Sequence, residues 1–112
     1  MTSIDIAKTV ANILDNKKAI DVSILGVRKI SSLTDYFVIA SGTSSTQVKA
    51  LADEVEFKLK QFNIIPEHIE GHNSNSWALL DYGNVIVNIF SEEARQFYNL
   101  EHLWKDSERI EM

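Results

Sequence analysis

Two groups of residues in this chain have types and spacing that suit reaction chemistry. The first is Ser41-Gly42-Thr43-Ser44-Ser45, where an apolar run passes into a helical pattern. Free backbone N–H groups at such a turn, together with the positive end of the helix, can hold an anion. The second is the alternating set His68, Glu70 and His72. On a strand these side chains share a face and could approach a metal ion.

Neither group is completed by the rest of the chain. The turn lacks the G-x-x-x-x-G-K of a phosphate-binding loop and the dinucleotide fingerprint. It is similar to the small Gly-Ser turn of nucleotidyltransferases, which also need carboxylates at i, i+2 on a neighbouring strand to hold divalent metal. No such pair follows: Asp53, Glu54 and Glu56 fall inside a helical pattern, and Glu67 and Glu70 are three apart. The turn therefore reads as a tight turn and helix cap. The histidines border the polar loop G-H-N-S-N-S, and a third ligand such as His102 would have to come from elsewhere. They read as solvated side chains, and no metal or cofactor is expected. There is no cysteine, which removes thiolate sites and disulfides, and no G-x-S-x-G.

What the chain does carry is adhesive. From Trp77 to Trp104 it runs W-A-L-L-D-Y-G-N-V-I-V-N-I-F-S-E-E-A-R-Q-F-Y-N-L-E-H-L-W, with Tyr82, Phe90, Phe97, Tyr98 and Trp104 after the first tryptophan. Aromatic side chains and arginine are the usual energetic anchors of protein interfaces. Trp77, Leu79 and Asp81 would share one strand face, with Tyr82 at the turn; Arg95, Tyr98 and Trp104 follow. Each also has a plain reading: core packing for Trp77, an Asx turn onto Gly83 for Asp81, and helix first-turn acids for Glu92 and Glu93.

The net charge of −5 repels nucleic acid at long range, and the only basic pairs are Lys17-Lys18 and Arg28-Lys29. Phosphate-dominated RNA binding is disfavoured and a basic protein partner is favoured. With 112 residues and 45% apolar content, the chain fits one domain, residues 1–112. No apolar run reaches the roughly 20 residues of a membrane span. The N-terminus has neither a basic, apolar secretory signal nor an Arg-rich transit pattern.

The elements that must position these residues are legible from periodicity. Residues 3–17 read as a helix capped by Thr2 or Ser3. Residues 19–26 alternate as a strand with one packed and one wetter face, and residues 36–41 read as a central strand. Residues 44–62 form the second helix, opened by Ser44 and Gln47, with Val48, Leu51, Ala52, Val55, Leu59 and Phe62 facing the core. A short strand at 67–70, a hairpin of 77–81 and 85–90, and helical residues 92–104 complete the set; the polar tail 105–112 is expected to fray. Helices interleaved with a mixed sheet of about five strands make the class α/β, or layered α+β.

At this point four blocks form a pattern: Asp35 to Val55, Glu70-Gly71, Trp77 to Phe90, and Arg95 to Trp104. In this order and spacing they resemble the ribosomal silencing factor, or Iojap-related, family, with a match running from about Asp21 to Trp104. That family's pattern often has Asp at the position of Asn84 and His at that of Asn88. The resemblance implies a nucleotidyltransferase-like topology without the activity. It implies binding to the large ribosomal subunit, at its ribosomal protein fourteen, and repression by blocking the small subunit when nutrients are scarce. It further implies a homodimer when free, and a bacterial cytoplasmic member. Candidate contact residues are Trp77, Leu79, Asp81 and Tyr82, then Glu70 and His72. A metal-dependent nucleotidyltransferase-like enzyme and a homodimeric adaptor for another protein are the alternatives.

Overall fold

The chain is seen here as a computed structural model that describes residues 1–71 and 76–112. Helix α1, Ser3–Asn16, opens with a reciprocal cap: the Thr2 hydroxyl accepts the Asp5 amide and the Asp5 carboxylate accepts the Thr2 amide. Its apolar stripe buries Ala7, Val10, Ala11 and Leu14. Strand β1, Ile20–Gly26, runs antiparallel to β2, Tyr36–Gly42. Helix α2, Ser45–Lys60, is capped by Ser44 and buries Val48, Leu51, Val55 and Leu59. Strands β3, His68–Glu70, β4, Trp77–Asp81, and β5, Val85–Ser91, follow, then α3, Glu92–Tyr98, α4, Leu100–Leu103, and β6, Glu108–Ile110.

The strands form one six-stranded sheet in the order β3-β4-β5-β2-β1-β6. Only β2 and β5 pair in parallel; every other neighbouring pair is antiparallel. This is the expected layered α/β architecture. The two parallel strands are buried from end to end, apart from the rim residue Ser91, as their unbroken apolar runs require.

Period-two alternation gives the sheet two different faces. Ile24, Val38, Leu80, Val87 and Ile89 point one way, into the core closed by α1 and α2. Leu25, Phe37, Ile39, Ile86 and Phe90 point the other way, into a smaller cluster on which Trp77, Leu79, Leu100 and Trp104 pack while half-buried. Two long helices seal the first face. Among the described residues, only the short α3 and α4 cover the second, and they leave part of it open.

Three expectations change. The second face of β1 is wet only at Asp21: Ser23 and Leu25 are buried, Leu25 within the second cluster. Phe62 does not join the core and is 56% exposed. The helix ends at Lys60 and Asn63 turns left-handed at φ 61, which takes Phe62 off the helical stripe. Part of the polar tail is a strand: Glu108–Ile110 pairs with the otherwise free edge of β1. That makes the sixth strand.

Gly71 leads from β3 toward the hairpin at φ +72, where a methyl group would overlap the Trp77 carbonyl oxygen. Gly71→Ala is therefore expected to lower stability by at least about 1 kcal/mol, measured by urea unfolding. An unchanged midpoint would contradict this backbone geometry.

Candidate functional site

The open part of the second sheet face is an apolar groove of about 280 Å³. Its floor is Phe37, Ile86, Asn88 and Phe90 of β2 and β5; Trp77 and Leu79 of β4 form one wall. Tyr98 and Leu100 from α3 and α4 form the opposite wall, and Leu33 closes one end. Leu33 lies in the loop between β1 and β2. Thr34 ties that loop down by donating to the Gly83 carbonyl at 3.0 Å. The amides of Asp35 and Tyr36 both reach the Asn84 carbonyl.

Polar groups on the groove are few, and two of them pair with each other. The Trp77 indole N–H donates to Asn88 Oδ1 at 3.1 Å, and Asn88 is otherwise buried. That bond fixes the indole ring while its apolar edge faces the groove. A small-molecule site normally offers several convergent polar groups that fix a ligand's orientation. This groove offers apolar surface instead, which suits one or two side chains of a protein. Around it Leu33, Phe97, Tyr98 and Leu103 are each more than half exposed. Isolated exposed apolar residues are ordinary, but a cluster beside a groove marks an interaction surface.

Antiparallel register aligns Trp77, Leu79 and Asp81 with Phe90, Asn88 and Ile86, so the three residues share the groove face. Glu70 stands opposite Leu79, and His68 opposite Asp81. Glu70 therefore forms an acidic rim on that face, with His68 Nε2 at 3.2 Å from its Oε1. His72 lies outside the described residues. Asp81 makes the anticipated Asx turn: its Oδ1 accepts the Gly83 amide at 2.8 Å. Tyr82 is set apart from the others, since it packs on the helix-covered face. Its hydroxyl is buried and has no partner among the described residues. Burial, and secondarily the Glu56 carboxylate, push that hydroxyl well above the usual phenol range.

Among the aromatic anchors, Trp104 packs on Phe37 at 5.4 Å between ring centroids, and Tyr98 stacks on Phe90 at 5.8 Å. Arg95 is turned inward, with its side chain 12% exposed. Its guanidinium forks onto Glu101 with two bonds of 3.0 Å, and also donates to Ser41 Oγ at 3.0 Å and to the Ile20 carbonyl at 3.3 Å. Sequence periodicity carries no sign of this clamp. A signal for Leu33 was available: one leucine stands alone in the polar stretch S-S-L-T-D.

The Ser41–Ser45 turn caps α2, with the Ser44 hydroxyl accepting the Gln47 amide. The Gln47 side chain turns to Thr43 and to the Lys18 carbonyl. Among the described residues, no three His, Asp or Glu side chains come together in a way that could hold a metal ion. No described helix is long and apolar enough to cross a membrane.

Glu101 is held below the ordinary carboxylate range, chiefly by its hydrogen bonds from Arg95; partial burial opposes this and the charges of Arg95 and Arg109 reinforce it. A carboxyl depressed in the folded state stabilises fully above its unfolded pKa of about 4.3, and that contribution fades as pH falls through the folded value. Glu101→Gln should therefore melt below the wild type at neutral pH, with the difference shrinking on acidification. A gap in Tm that does not shrink at all as pH falls below the ordinary carboxylate range would contradict the ion pair's contribution.

The whole chain, residues 1–112, matches the family model described as ribosomal silencing factor during starvation. Ribosomal silencing factor RsfS of Bacillus subtilis is 37% identical over 107 residues, which cover 96% of this chain and 91% of that protein. The protein of the same name from Halalkalibacterium halodurans is 35% identical over 112 residues, covering 100% of this chain and 96% of the relative. The chloroplastic protein Iojap of Zea mays is 33% identical, but this chain spans only 46% of it. A crystal structure of a Chromobacterium violaceum protein superposes with a TM-score of 0.90 at 36% identity, covering 94% of this chain and 88% of the other. A full-length family match and near-full-length relatives above 30% identity agree with the fold, and the chain belongs to the ribosomal silencing factor family.

Proposed function

We propose that this protein is a non-enzymatic translational repressor that binds the large ribosomal subunit and sterically blocks joining of the small subunit under nutrient limitation. Its partner is the large subunit's ribosomal protein fourteen, on the face that meets the small subunit. Contact with RNA is minor, and the protein is a cytoplasmic homodimer when free. The observation that carries this reading is the apolar groove walled by Trp77 and Leu79 and rimmed by Glu70, on a chain of a family named for ribosomal silencing. A net charge of −5 suits a basic ribosomal protein better than bare RNA. Extents of 34 × 33 × 23 Å give ample bulk to hold two surfaces apart. An interface of ordinary size, about 800 Å² per partner, needs no catalytic group.

Trp77, Leu79 and Asp81 are the principal contacts in this reading, with Glu70 and His72 as secondary candidates; Tyr82, on the helix-covered face, supports the hairpin rather than the contact. The exposed apolar side chains Leu33, at the end of the groove, and Phe97 and Leu103, outside its lining, support self-association in the free state. The test is co-sedimentation of purified protein with isolated large subunits and, separately, with small subunits. Binding to large subunits alone supports the proposal; no co-sedimentation at micromolar protein rejects it.

A further inference from the structure

The α3–α4 segment forms a wall of the groove, and its apolar contacts with the sheet, Tyr98 on Phe90 and Leu100 on the second cluster, are made by side chains that stay partly exposed. Among its residues only Ala94 is buried in α3, and α4 buries none. Helices of seven and four residues are too short to be stable alone. Between them Asn99 sits in the left-handed region, φ 47 and ψ 54, so the chain kinks there. The angle at that kink decides where Tyr98 and Leu100 stand relative to the groove floor.

One side chain spans the kink. Arg95 forks onto Glu101 across Asn99, and its other bonds reach Ser41 of β2 and Ile20 of β1. Its side chain is 12% exposed, so these bonds are largely shielded from water. A planar fork fixes direction as well as distance, which an ammonium cannot do. We infer that Arg95 and Glu101 form a latch that positions the Tyr98–Leu100 wall of the groove, and so act on partner binding without touching the partner.

This inference rests on the groove being the binding surface, and the experiment separates the two claims. Arg95→Ala, Arg95→Lys and Glu101→Ala would be compared with wild type in hydrogen exchange and in affinity for isolated large ribosomal subunits. The latch predicts faster exchange at residues 92–104 in all three variants, with the amides of β2 and β5 still protected. It also predicts about a tenfold loss of affinity in each single variant, and no further loss in Arg95→Ala/Glu101→Ala. Lysine should fail to rescue, because the fork is lost while the charge remains.

Unchanged exchange at 92–104, or an equal loss of protection throughout the sheet, would overturn the latch. Faster local exchange with undiminished affinity would show that this wall plays no part in binding, and would overturn the positioning claim. If wild type itself does not bind large subunits, the functional reading fails and the positioning claim fails with it. The exchange data still decide whether the latch orders the wall.

Discussion

Leu80→Ala should lose roughly 3 to 4 kcal/mol of folding stability, while its neighbour Leu79→Ala should lose about 1 kcal/mol. The two leucines are adjacent on β4 and face opposite ways. Leu80 is 1% exposed and lies in the core closed by α1 and α2. Its truncation leaves a cavity that two long helices cannot easily collapse. Leu79 is half-buried on the groove wall, so water already reaches part of it and fills the space. Affinity should rank the other way. Leu79→Ala should weaken binding to large subunits several-fold, and Leu80→Ala, measured well below its unfolding midpoint, should bind like wild type. Equal stability losses would show that the sheet is sealed on both faces, leaving no open adhesive surface.

Trp77→Ala should lower affinity for large subunits by about 2 kcal/mol or more, roughly thirtyfold. The indole is the largest side chain on the groove wall, and Asn88 holds it in one orientation. A preordered aromatic ring gives up little conformational entropy on binding, which is why such residues dominate interfaces. Removing the ring also strips Asn88 Oδ1 of its donor. Because the groove is open, water can replace that bond, and the stability loss should stay near 1 to 2 kcal/mol. Urea unfolding and subunit binding on the same preparation separate the effects. A loss above about 4 kcal/mol of stability with unchanged affinity would make Trp77 a core residue and move the anchor elsewhere.

What could be read in advance was whatever depends on local pattern. A hydroxyl cap at Thr2 or Ser3, the α2 stripe from Val48 to Leu59 and the Asp81–Gly83 turn are each set within a few residues. The shared face of Trp77, Leu79 and Asp81 follows from strand alternation alone. The misreadings depend on partners distant in sequence. Leu25 is buried because β1 meets the second cluster. Glu108–Ile110 becomes a strand because an edge was free to accept it, although its residues have little strand character. Phe62 keeps the helical period, but the helix has already ended. Tyr82 faces away from Trp77 because alternation continues through it, placing it with Ala78 and Leu80 on the helix-covered face. The groove itself is a meeting of five elements, and only β4 and the aromatics of α3 pointed toward it. Arg95 shows the limit most plainly, since its four hydrogen bonds reach residues 6, 54 and 75 positions away.

The decisive measurement is subunit joining, followed by light scattering after purified large and small subunits are mixed in magnesium. Preincubating large subunits with saturating wild-type protein should abolish most of the joining signal, and the same concentration of Trp77→Ala should restore much of it. Full joining in the presence of wild-type protein that is demonstrably bound would contradict repression by occupied space.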